Sequence, residues 1–253
     1  MPTVASADGT TIAYEATGSG PAVVLVDGAC CFRAGGPMRP LAAVLQDHFT
    51  VYCYDRRGRG ESTDTLPYAP AREVEDLLAV IGAAGGEASV YTMSSGGAIG
   101  LAAAAASAAV RALAVYEPPF VGPTPGYSAE LVELLAEGRR GDAVARFQKQ
   151  VGMPPGAIAA FRASPGFAVL EGIAPTLAYD DAVLQPGHVR PEVAAAIEVP
   201  TTIIAGGASP AFLVDAARST AGAIPVARFE VLEGQTHDVD PAVLAPLLVK
   251  LLS

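Results

Sequence analysis

The strongest constraint in this chain of 253 residues is a rhythm of short apolar runs, each followed by a stretch of helical spacing. The first series places strands at residues 22–26, 49–54, 89–93 and 111–116. Helices at 40–47, 72–84 and 98–109 separate them. The run 22–26 is apolar without interruption, as a parallel strand buried on both faces requires. In 72–84, Val74, Leu77, Leu78 and Ile81 recur on one helical face. Val4 and residues 11–16 flank the turn 7–10 and predict an N-terminal antiparallel hairpin. After Pro200 the rhythm resumes, with strands at 201–205 and 227–232 and helices at 211–221 and 241–252. Alternation of this kind implies an α/β fold, with a mostly parallel twisted sheet and helices on both faces.

Between Pro118 and Pro200 no strand of comparable strength occurs. Short helices are expected at 129–137, 142–151, 157–162 and 167–179, punctuated by Pro and Gly. The expected division is a core of residues 1–118 and 199–253 carrying an inserted helical cap, or lid, of residues 119–198.

A net charge of −10 and scattered Lys and Arg argue against nucleic acid, which needs a concentrated basic face. The same balance argues against anionic membrane surfaces, and the apolar runs are far too short to span a bilayer. The start, Met1-Pro2-Thr3, has no basic segment leading into an apolar one, so no secretory signal is expected. Cys30, Cys31 and Cys53 form neither a metal spacing nor an even disulfide framework, and reduced thiols in a cytoplasmic protein are expected. Oligomeric state is not legible from the sequence.

Candidate chemistry centres on Thr92-Met93-Ser94-Ser95-Gly96-Gly97, between a strand and a helix. A serine there, flanked by small residues, suits a sharp turn that strains its backbone and projects Oγ above the sheet edge. The amides that follow sit at a helix N-terminus, where developing negative charge is favoured. The same residues would also suit a flexible loop or a helix N-cap. His237, one of three histidines, lies in the loop after the last strand. Loops after parallel strands share one sheet edge, so Ser94 and His237 are expected to converge there. A neutral imidazole would accept the serine proton and return it to a leaving group. A solvent-exposed loop histidine is the alternative.

With serine, histidine and this order of elements, the chain resembles the α/β-hydrolase family along essentially its whole length. Val24-Leu25-Val26-Asp27-Gly28-Ala29 resembles the family's oxyanion loop, with Asp27 where a histidine usually precedes the glycine. Tyr54 to Ser62, containing Arg56-Arg57-Gly58-Arg59-Gly60, is similar to the family's D-x-R-G-x-G-x-S turn. Thr92 stands where the family's serine motif usually has glycine. The resemblance implies oxyanion donors at the Ala29 and Ser95 amides. A carboxylate at Asp27 would oppose an oxyanion, so it is expected either to turn away into hydrogen bonds or to keep its proton through burial. The arginines of 55–62 are expected to be salt-bridged.

The acid departs from the family pattern. Most relatives carry an Asp after the seventh strand, but here that loop is Ala205-Gly206-Gly207-Ala208-Ser209-Pro210. Glu117, after the sixth strand, occupies the position used in one branch that includes the haloalkane dehalogenases, although Ser94 excludes dehalogenase chemistry, which needs an aspartate there. Asp215 and Asp238 are the other candidates, and a Ser-His dyad is a further alternative.

These residues imply a serine hydrolase cleaving a small-to-medium carboxylic ester, thioester or lactone, with Ser94 as nucleophile, His237 as base and Glu117 as acid. Apolar cap residues such as Phe120, Val121, Met153, Phe161 and Phe167 point to an apolar acyl or lactone substrate. Arg139-Arg140 and Asp180-Asp181 are expected to be solvated cap surface. No metal or organic cofactor is expected. A cofactor-free C–C hydrolase, a biosynthetic cyclase or lyase, and a non-catalytic small-molecule receptor remain alternatives.

Overall fold

The computed structural model describes all 253 residues. Its layering is set by strand β3 (Ala22–Val26), whose side chains alternate between two packed faces. Before it come β1 (Thr3–Ala5) and β2 (Thr11–Gly18); after it come α1 (Met38–Leu45), β4 (Thr50–Tyr54), α2 (Pro70–Ala83), β5 (Ala88–Met93), α3 (Gly96–Ala106) and β6 (Val110–Tyr116). The C-terminal part supplies β7 (Thr201–Gly206), α10 (Ala211–Ala223), β8 (Ala227–Leu232) and α11 (Pro241–Leu252). Val23 and Leu25 pack with Leu41 and Leu45 of α1 and Leu244 and Leu248 of α11. Val24 and Val26 face the other layer, with Leu77 and Ile81 of α2, Ile99 and Leu101 of α3 and Ala217 of α10. Uninterrupted apolar strands are thus explained, because each buries both of its faces.

The eight strands run in the order β1-β2-β4-β3-β5-β6-β7-β8. The β1–β2 and β2–β4 pairs are antiparallel, and every pair from β4 to β8 is parallel. The chain therefore leaves β5, β6, β7 and β8 at one common edge.

Helix α3 approaches the sheet closely because it carries glycines on its inner face. A Cβ at Gly100 would stand 2.5 Å from Thr92 Cγ2, and one at Gly97 would stand 2.8 Å from Val115 Cγ1. Ser94 is therefore held between a strand and a helix with little freedom to shift.

Between β6 and β7 lie α4 (Tyr127–Ala136), α5 (Arg140–Gln150), α6 (Pro155–Arg162), α7 (Pro165–Ile173), α8 (Leu177–Leu184) and α9 (Pro191–Ala196). The expected helix 167–179 is instead two. It breaks at a 3-10 turn, Ala174–Thr176, where Pro175 lacks an N–H and crowds the preceding turn. Helix α9, unforeseen from periodicity, is short and starts on Pro191. Tyr127, Leu131, Val144, Phe167 and Leu177 form a small core within these helices. No single helix is long and apolar enough to cross a membrane.

Candidate functional site

Ser94 occupies the turn from β5 into α3 with φ of 52°, a left-handed conformation that a non-glycine residue adopts at a cost. Its N–H donates to the Tyr116 carbonyl at 2.9 Å, and its own carbonyl accepts from Gly97 N–H at 2.9 Å. A Cβ built at Gly28 would lie 2.8 Å from Ser94 Cβ and 3.4 Å from Ser94 Oγ, so glycine is what lets the loop after β3 meet this serine.

Glu117, the first residue after β6, is also left-handed, with φ of 44°, and is fully buried. Its Oε1 accepts the Gly206 N–H at 2.7 Å, and its Oε2 lies 2.7 Å from His237 Nδ1. Burial would raise this carboxyl, but His237 and the Gly206 amide together hold it below the ordinary glutamate range. With the carboxylate ionised, Nδ1 carries the hydrogen and Nε2 presents the lone pair. Asp215 and Asp238 are both exposed, and neither bonds the imidazole.

The histidine loop is fastened at several points. Tyr116 Oη donates to the Thr236 carbonyl at 2.6 Å, and Ala208 N–H donates to the Gln235 carbonyl at 2.8 Å. Gln235 Oε1 accepts from Asp240 N–H at 2.9 Å, while Asp240 caps α11 through Ala242 N–H at 2.8 Å. Asp240 thus has a local structural task.

Around the serine, the Ala29 and Ser95 amides donate to no protein acceptor. The Asp27 carboxyl is buried, its Oδ1 has no hydrogen-bond partner, and it faces Gly36 and Cys31. Turning away into hydrogen bonds is thereby excluded. Burial pushes its pKa up to about 7 against the pull of Arg59 and Arg56, which favours the alternative of a retained proton below neutrality. Burial likewise pushes the Cys30 and Cys31 thiols up to about 12, leaving both as weak nucleophiles.

Beneath these loops lies a charge cluster. Arg56 forms a two-pronged pair with Glu73 at 2.6 and 2.7 Å, and Arg57 does the same with Asp76 at 2.7 and 2.8 Å. Arg59 reaches Asp180 at 2.6 Å and the Gly28 carbonyl at 2.6 Å. The expectation that Asp180 is solvated is overturned, since it is 3% exposed and ion-paired. Asp181, its neighbour, is only half-buried. An apolar groove of about 570 Å³ between α2, α3, α8 and α9, lined by Val74, Leu78, Ala102, Val183 and Val193, contains none of Ser94, Glu117, His237, Asp27 and Asp180.

Against known proteins, residues 18–247 match the alpha/beta hydrolase family. An alpha/beta hydrolase from Sphaerobacter thermophilus is 50% identical, with 99% of each chain covered and a TM-score of 0.90. The enol-lactonase from Burkholderia xenovorans is 26% identical, covering 98% of this chain and 97% of its own, with a TM-score of 0.72. A thermophilic esterase from Thermogutta terrifontis, 20% identical over 98% of this chain and 95% of its own, shares the fold at a TM-score of 0.67. The chain belongs to the alpha/beta hydrolase family.

Proposed function

We propose that this chain is a serine hydrolase that opens a small-to-medium carboxylic ester, thioester or lactone through an acyl-enzyme. Ser94 Oγ attacks the carbonyl carbon as its proton passes to His237 Nε2. The tetrahedral oxyanion is received by the Ala29 and Ser95 amides at the N-terminus of α3. Collapse breaks the acyl bond, and the leaving oxygen or sulfur takes the proton from His237. Water then repeats the sequence on the acyl-enzyme and restores Ser94. Glu117 keeps the imidazole in the Nδ1–H form and offsets its charge when it is protonated.

The observation that carries this proposal is the 2.7 Å contact of Glu117 with His237, on the same sheet edge as a left-handed serine and two unbonded amides. The likeness to an enol-lactonase over nearly the whole chain supports a lactone or small ester as substrate. On this proposal residues 119–198 cap a core of 1–118 and 199–253, and apolar cap residues select the acyl part. The three thiols are free, in keeping with a reducing, cytoplasmic setting.

Turnover of p-nitrophenyl butyrate and of a simple lactone tests the proposal. Activity in the wild type that vanishes in Ser94→Ala supports it. Equal activity in both contradicts it.

A further inference from the structure

The two unbonded amides are each tied to one buried carboxylate. Asp180 in α8 receives Arg59 Nη2 at 2.6 Å, Arg56 Nη1 at 2.8 Å and the Ser95 hydroxyl at 2.7 Å. It is the only carboxylate partner of Arg59, whereas Arg56 also has Glu73. Arg59 then uses Nη1 to hold the Gly28 carbonyl at 2.6 Å and the Cys31 carbonyl at 3.2 Å.

In a trans peptide the carbonyl of one residue and the N–H of the next point in opposite directions. Fixing Gly28 O on Arg59 therefore aims the Ala29 N–H away from the arginine. The Ser95 side chain is drawn to Asp180 in the same way. Although Ser95 is the N-cap residue of α3, its hydroxyl bonds none of that helix's amides.

Resting on the assignment of Ser94 as nucleophile, we infer that Asp180 is a positioning residue for the oxyanion hole, so that the inserted helices set both donors through Arg59 and Ser95. The hole is complete only when α8 is docked. Burial would raise the Asp180 carboxyl, but Arg59 and Arg56 outweigh it and keep it ionised, as this role requires.

Helix α8 and the turn before it have further anchors that Asp180→Asn leaves in place. Thr176 Oγ1 accepts from Arg59 Nε at 3.0 Å, Tyr179 Oη donates to Asp64 at 2.6 Å, and the Tyr179 ring stacks on Tyr68 at 3.7 Å. A purely structural ion pair would cost stability without singling out the charged tetrahedral state.

The test compares kcat and KM for p-nitrophenyl butyrate with the affinity of an aryl trifluoromethyl ketone, whose serine adduct carries the oxyanion. In Asp180→Asn, kcat and ketone affinity should fall together by about 10- to 100-fold, while KM moves by less than about threefold. Ser95→Ala, which removes the hydroxyl's bonds to Asp180 and from Arg56 Nη1 but no charge, should shift the same two quantities in the same direction by about threefold or more. If Asp180→Asn fails to fold, Ser95→Ala decides alone. Unchanged kcat and ketone affinity, or a change in KM only, overturns the inference while the proposed function stands. A wild-type chain that neither turns over esters nor binds the ketone overturns the proposed function itself, and the inference with it.

Discussion

His237 Nδ1 lies 2.7 Å from Oε2 of Glu117, a carboxylate 120 residues earlier in the chain. Both oxygens of that carboxylate are engaged, the second by the Gly206 amide at 2.7 Å, so the imidazole is held by a group that cannot itself rotate away. Glu117→Gln should therefore lower kcat by about 10³- to 10⁴-fold with an unchanged fold, as loss of the orienting acid does in related triads. Asp215→Asn and Asp238→Asn, both at exposed positions, should leave kcat unchanged. Steady-state kinetics on the three variants checks this, and a large loss in either Asp variant would move the acid elsewhere.

Gly28 is predicted to tolerate no side chain. The methyl of Gly28→Ala would fall 2.8 Å from Ser94 Cβ, in rigid surroundings of strand end and helix start. The loop must retreat, carrying the Ala29 amide with it. A loss of about 10²-fold in kcat is expected, comparable to removing one oxyanion donor. Circular dichroism should show the fold intact.

Asp27 makes stability fall as pH rises. In the unfolded chain an aspartate loses its proton near pH 4, whereas the folded protein keeps it until about 7. Between those values the native state binds more protons than the unfolded state, so each step upward in pH favours unfolding. The full effect amounts to roughly 4 kcal/mol at most. Asp27→Asn, which mimics the protonated side chain, should melt above the wild type by a margin that grows from pH 5 to pH 8. Thermal melts across that range check the sign, and a margin independent of pH would contradict it.

Tyr116 should matter to the histidine loop beyond its packing. Its hydroxyl donates to the Thr236 carbonyl at 2.6 Å, one residue before the imidazole. Tyr116→Phe is expected to cost about 1 kcal/mol in stability, because the Thr236 carbonyl loses its donor. A moderate fall in kcat should accompany it, read against an unchanged KM.

Much of the sheet was legible because parallel strands buried on both faces leave mostly apolar runs, unbroken at 22–26 and opened by two threonines at 201–205. The serine turn was legible for a local reason, since small residues and a strand-to-helix switch lie within six positions. Glu117 could be singled out because the family resemblance points to a carboxylate at the end of β6 where the loop after β7 has none. Asp180 could not. Adjacent helical residues point about 100° apart, so an Asp-Asp pair reads as solvent-facing unless the partners of one member are known. Those partners, Arg56 and Arg59, lie 124 and 121 residues away. The helices between β6 and β7 are less legible than the strands, because they are short and proline-broken and their periodicity is weak.

The most direct test of the central claim is labelling with a fluorophosphonate probe followed by peptide mapping. One adduct on the peptide containing Ser94, absent in Ser94→Ala and formed far more slowly in His237→Ala, is the predicted result. An active wild-type protein that forms no adduct, or forms it on another residue, would contradict the account.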